Sequence, residues 1–169
     1  MIMNSIASML EKLRSVEQWL CALAFLGLTG VLFADMLSRE VTGSGLHWAG
    51  EAGLFANTLL VMAGFGLAGA DGAHLRPRFS DSWLPDSWQP QLIRLGYLLT
   101  SVFCGVLCFY AVLMVADTAA FGERSVRLGW PVWLAQVILP LAFGSALLRY
   151  LSFAIWPALA PLPPTVTKE

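Results

Sequence analysis

Apolar positions dominate this chain in four long blocks, Gln18 to Ala34, Ala52 to Ala70, Leu95 to Ala116 and Trp130 to Leu148, none of which contains Asp, Glu, Lys or Arg. A helix rises about 1.5 Å per residue, so each block approaches or exceeds the roughly 20 residues needed to cross a hydrocarbon core. The pattern predicts spans at about 17–37, 48–70, 93–116 and 131–156. Helices are favoured over strands because a lipid-facing backbone must satisfy its own hydrogen bonds, and no segment shows the alternation of a barrel strand. Ahead of the first block, Ile2, Ile6, Met9, Leu10 and Leu13 recur at helical spacing, with Asn4, Ser5, Glu11, Lys12 and Arg14 mostly on the other side. That arrangement predicts an amphipathic helix over 1–16 lying at the membrane interface. The fold class expected is an all-α membrane protein: four transmembrane helices plus an N-terminal interfacial amphipathic helix, in a single membrane domain over 1–169. The stretch 157–169 holds four of the nine prolines and is expected to be irregular.

Composition agrees, since 57% of residues are hydrophobic and only 12% charged, against about a quarter charged in a soluble domain. All seven tryptophans, Trp19, Trp48, Trp83, Trp88, Trp130, Trp133 and Trp156, fall at or beside predicted span ends, where an amphipathic ring prefers the interface. Lys12, Arg14, Arg76, Arg78, Arg94, Arg149 and Lys168 share one side of the predicted topology, and Arg39, Arg124 and Arg127 lie opposite. The positive-inside rule then places both termini and the middle connector in the cytoplasm. The first apolar run is long and ends Leu32-Phe33-Ala34-Asp35 without a small-residue cleavage pattern, so the N-terminus is expected to be retained.

Candidate chemistry is sparse. Cys21, Cys104 and Cys108 lie inside spans with no Cys-x-x-Cys pair, which suits apolar packing rather than thiol exchange. His47 and His74 flank the second span about 40 Å apart at helical rise, too far to share a haem or a zinc ion. No histidine and carboxylate can be placed beside a candidate serine. No enzyme, cofactor, metal or nucleic-acid function is expected.

Polar residues at span ends carry the remaining interest. Asp35 and Arg39 are spaced for a helix-surface ion pair. Glu51 stands in the first turn of span two, where it can serve the helix end, contact a partner or act as a structural lock. Within that span Asn57 and Thr58 are polar, while Gly64, Ala68 and Gly72 recur on one face, with Ala49 and Gly53 as a similar pair near the start. Small residues let helices approach, within this chain's bundle or against a separate membrane protein. In the last span Pro131 suits the first helical turn, Pro140 should kink the helix, and Arg149 can snorkel to the cytoplasmic headgroups. The middle of every predicted span lacks charge, unlike an autonomous ion-coupled transporter.

In this order the motifs resemble the small membrane subunit of tripartite ATP-independent periplasmic transporters. The residues that carry the resemblance are Trp48 to Glu51, the glycine-rich second span, Gly72-Ala73-His74-Leu75, the run Arg127-Leu128-Gly129-Trp130-Pro131-Val132-Trp133, and Pro140 with Arg149. Asp71 departs from it, standing where a basic residue is expected before the histidine. The resemblance implies a scaffold subunit of a bacterial or archaeal inner-membrane system. In such systems a periplasmic substrate-binding protein delivers an organic acid to a large membrane transport subunit, which moves it inward with sodium. Trp48, Glu51, Gly53, Asn57, Gly64, Ala68, His74, Arg124, Arg127, Pro131, Trp133, Pro140 and Arg149 are the candidate interface or structural residues, and membrane lipids are expected partners. The competing expectation is an autonomous, homo-oligomeric small transporter.

Overall fold

The computed structural model describes residues 2–70 and 89–160. Helix α1 covers Ile2–Thr42, α2 Ala49–Ala70 and α3 Gln89–Phe121; α4, Trp133–Gln136, and α5, Ile138–Ile155, follow, and a 3-10 turn at Pro157–Leu159 closes the described chain. Among the described residues four helical segments are long and apolar enough to cross a membrane: Ile6–Thr42, Ala49–Gly69, Ile93–Phe121 and Trp133–Ile155. The expected all-α, four-span architecture is therefore present.

The N-terminal amphipathic segment is helical, as its spacing predicts, but it is not a separate element. No glycine or proline occurs between Ile2 and Ala24 to interrupt the backbone ladder, so the interfacial stretch and first span form one helix of 41 residues. Leu10 packs against a buried cluster of Cys104, Ala146, Tyr150 and Phe153. The bundle thus takes up part of the apolar stripe that was expected to rest on lipid.

Glycines end two of the helices. Gly43 adopts φ 73° and returns its N–H to Arg39 O at 3.0 Å, a left-handed C-cap that a side chain would strain. Gly122 adopts φ 64° after α3. Beyond it, Ser125 N–H donates to Trp130 O at 2.8 Å and Val132 N–H to Glu123 O at 3.1 Å, closing residues 122–132 into a compact loop.

The last span is broken at Val137, between α4 and α5. Pro140 supplies the cause: it lacks the N–H that would reach Gln136 O, and its ring crowds that carbonyl. The interruption is a single residue, one turn upstream of the proline: Val137 keeps helical dihedrals of φ −55° and ψ −28°, and its N–H still donates to Trp133 O at 3.0 Å. Pro131, expected in the first helical turn, instead precedes α4 in an isolated bridge with Arg124, and its carbonyl accepts from Leu134 N–H at 3.2 Å.

The principal contacts run α1 to α2, α2 to α5 and α5 to α3, with α1 and α5 only lightly in touch. The helices form a row with α2 and α5 at its centre. Along α1 from Leu10 onward the residues withdrawn from the surface are Leu10, Leu13, Glu17, Cys21, Ala24, Leu28, Val31, Asp35 and Ser38, in steps of three and four that keep one narrow stripe against the neighbouring helix. The rest of α1 is bare: 6% of its most apolar window is buried, against 28% for the last span, so lipid or another protein must cover it.

Candidate functional site

Two of the stripe positions carry carboxylates. Asp35 accepts from Arg39 Nε at 3.0 Å, as the four-residue spacing predicts, and from the Leu46 N–H at 2.7 Å, a second bond that ties the α1–α2 connection down. Glu17 lies deep in the row and organises a polar cluster between three helices. Its Oε2 accepts from Arg149 Nη2 at 2.9 Å and its Oε1 from the Ser145 hydroxyl at 2.8 Å, while Arg149 Nη1 donates to the Gly66 carbonyl of α2. Glu17 is 7% exposed and Arg149 1%. Gly66 is required here because a Cβ would collide with the Glu17 carboxylate.

This cluster corrects one expectation. Arg149 does not snorkel to the headgroups, because a carboxylate and a carbonyl meet its guanidinium inside the bundle. The enclosed ion pair lies at the limits of the uncharged runs, Glu17 just before Gln18 and Arg149 just after Leu148, so the middle of each described span is without charge. Glu17 itself escaped notice because it sits among Glu11, Lys12 and Arg14, just before the uncharged run. The available signal was register: Leu10, Leu13, Glu17 and Ala24 fall on one stripe, and a carboxylate on that stripe demands a buried partner.

The opposite end of α2 holds a second clamp. Glu51 lies in the first turn of α2, fifteen residues before Gly66, or about 22 Å away along the axis. Its carboxylate accepts the Ser125 hydroxyl, the Arg127 N–H at 3.0 Å and the Leu128 N–H at 3.0 Å. Arg127 Nη1 reaches back to the His47 carbonyl at 2.8 Å. Of the three roles open to Glu51, the geometry supplies the lock: a carboxylate on α2 gathers backbone donors from the loop between α3 and α4. Arg124 donates to Gly129 O at 3.4 Å and otherwise stays exposed beside Arg127.

The other candidates divide. A Cβ at Gly53 would lie 3.6 and 3.8 Å from Leu28 and Leu32 of α1, and Ala49 is buried, so this pair serves packing within the chain. Gly64 differs, since a Cβ there would meet nothing within 4 Å, and Asn57 is exposed seven residues before it on α2. Ala68 is half-buried, as is Trp133, and Trp48 lies on the surface. Pro140 O accepts from Cys108 Sγ at 3.4 Å, joining α3 to α5, while Cys104 is enclosed in the core cluster. His74 and Gly72 lie outside the described residues. Among the described residues no group of three or more His, Cys, Asp or Glu could hold a metal ion.

The run from Leu28 to Ala158 matches the family model described as tripartite ATP-independent periplasmic transporters, DctQ component. The chain belongs to this family. It is also 28% identical, over 154 residues, to the ectoine TRAP transporter small permease protein TeaB of Halomonas elongata, covering 91% of this chain and 78% of that relative. Both Glu51 and the loop that binds it lie inside the family match, as do Gly66, Ser145 and Arg149; Glu17 lies before its start. With four membrane-length helices, this DctQ component is a multi-pass inner-membrane protein and a part of a TRAP transporter.

Proposed function

We propose that this chain is the scaffold subunit of a sodium-coupled, binding-protein-dependent secondary transporter for organic acids, holding and orienting a large transport subunit in the bilayer. The observation that carries the reading is how the charged groups within and at the ends of its spans are used. Glu17, Arg149 and Glu51 each engage partners that join one helix or loop of this chain to another. Groups committed in this way hold a shape, whereas an ion path needs ionisable groups open to a cavity near the midplane. The row of helices leaves broad apolar faces on α1 and α3 for the large subunit and lipid. The chain acts as one membrane domain and not as an enzyme.

Basic residues place both termini and the connector between α2 and α3 in the cytoplasm and the loop at 122–132 outside. Arg124 and Arg127 are then exposed on the periplasmic side, where a substrate-binding protein docks. Substrate choice rests with the other subunits, so the ectoine in the relative's name and the carboxylates proposed here are both candidates for the uptake assay.

Expression with and without the neighbouring large membrane protein, followed by pull-down and sodium-dependent uptake of carboxylates and ectoine in proteoliposomes, tests the reading. The pair should co-purify and uptake should require both chains and the binding protein. Substrate movement by this chain alone, as a homo-oligomer, would overturn it.

A further inference from the structure

Asn57 places an unmatched carboxamide on the outer side of α2 near the middle of the bilayer. The span Ala49–Gly69 has its midpoint at residue 59, so Asn57 lies about 3 Å from it along the axis. The neighbouring Thr58 returns its hydroxyl to Leu54 O of its own helix at 2.9 Å, but among the described residues the exposed Asn57 side chain has no hydrogen-bond partner. A carboxamide offers two donors and an acceptor, and hydrocarbon can match none of them. A group turned outward at this depth is satisfied by another membrane helix.

The residues around Asn57 show how such a helix would sit. Gly50, Leu54, Asn57, Val61, Gly64 and Ala68 follow one another in alternating steps of four and three, the first four exposed and the last two half-buried. Gly50 and Gly64 stand seven residues to either side of Asn57, and a Cβ at either would meet nothing within 4 Å. Two notches with a polar side chain between them, in line at seven-residue spacing, suit a second helix crossing at about 20° with its backbone drawn close at the notches. The line carries no charge, so the group that meets Asn57 is neutral.

We propose that this stripe seats a transmembrane helix of the large transport subunit, which presents a hydroxyl or carboxamide side chain to Asn57 at mid-depth. The inference rests on the scaffold reading and names the face that serves it. Because α2 stands at the centre of the row, the exposed aromatics of α1 and α3, among them Phe25, Phe33, Phe103 and Phe109, remain on the flanks of the contact.

The full chain, co-expressed with the neighbouring large membrane protein and carrying a photo-reactive phenylalanine analogue in place of Val61, tests it. Illumination should join the two chains. Asn57→Leu should lower the amount of large subunit that co-purifies about three- to tenfold, the size of an interhelical hydrogen bond in a bilayer. Gly64→Leu, which fills a notch, should lower it about tenfold, as overpacking a contact does. Unfolding of the isolated chain in detergent should be no easier in either variant, because the stripe faces away from its own bundle; if Gly64→Leu does not fold, Asn57→Leu and the Val61 probe decide. Failure of the wild-type pair to co-purify would overturn the scaffold reading together with this proposal. Co-purification undiminished by Asn57→Leu, or a Val61 probe that captures a second copy of this chain or no protein, would overturn the proposal and leave the scaffold reading standing.

Discussion

Glu17 and Arg149, 132 residues apart in sequence, meet as an ion pair of 2.9 Å with both side chains withdrawn from the surface. The pair joins α1 to α5, and through the Gly66 carbonyl it also holds α2. Removing one partner leaves the other charge buried and alone, which in folded proteins costs about 3–5 kcal/mol. Glu17→Gln should therefore lower the unfolding temperature in detergent strongly. The double variant Glu17→Leu with Arg149→Met should recover most of the loss, because it removes both charges at similar volume. A double variant no better than the single would show that the pair contributes through something other than mutual neutralisation.

Gly66 and Gly64, two residues apart, make a matched pair of probes. At Gly66 a Cβ must displace a carboxylate that Arg149 and Ser145 hold in place, so Gly66→Ala should destabilise by roughly 1–3 kcal/mol, as overpacking does. At Gly64 there is open space, so Gly64→Ala should leave the isolated chain unchanged or slightly more stable, alanine being the better helix former. Thermal unfolding in detergent separates the two. If Gly64→Ala leaves stability intact but weakens co-purification with the large subunit, that face meets the partner.

Glu51 gathers the loop at 122–132 onto the start of α2. Glu51→Gln retains one acceptor oxygen and loses the charge, and charge-assisted bonds are the stronger ones. Amide hydrogen exchange at Arg127 and Leu128 should quicken in this variant and in Ser125→Ala. Exchange at α1 residues near Ala24 should stay as in the wild type. Equal quickening everywhere would mean that the clamp supports the whole bundle rather than the loop.

Arg124 and Arg127 make different contributions to the outer surface. Arg127→Ala loses the bond to the His47 carbonyl and should loosen the loop, whereas Arg124→Ala loses only a long bond to Gly129 within the loop. Reversal of charge at Arg124 should therefore leave unfolding unchanged and weaken capture of the binding protein, more so at low salt. Surface capture measurements at two ionic strengths check this, and unchanged capture would remove Arg124 from the docking surface.

Pro140 interrupts the last span by withholding a donor from Gln136. Pro140→Ala restores that donor, and a helix interior favours alanine over proline by about 3 kcal/mol. The new amide at position 140 should show slow exchange and α4 should become continuous with α5. Rapid exchange there would place the origin of the break in the loop before Trp133.

The length of the uncharged runs was enough to show four spans. Uncharged runs of helix length cannot be arranged otherwise in lipid, because the backbone must close its own hydrogen bonds. Local spacing likewise revealed Asp35 with Arg39, the disruption by Pro140, and the family resemblance carried by Trp48 to Glu51 and Arg127 to Trp133. Partners distant in sequence were a different matter. Whether Glu51 faced its own helix end, a partner or a loop depended on where residues 125–128 arrive, and those lie more than seventy positions away. Arg149 looked like a residue able to reach water because a long side chain near a span end can snorkel. Only the placement of Glu17 beside it made the interior the better environment, since a matched carboxylate offsets the desolvation that would otherwise drive the guanidinium outward. The sequence alone determined which segments enter the membrane; the tertiary structure decided which polar groups within them meet, because that depends on the order of helices in the row.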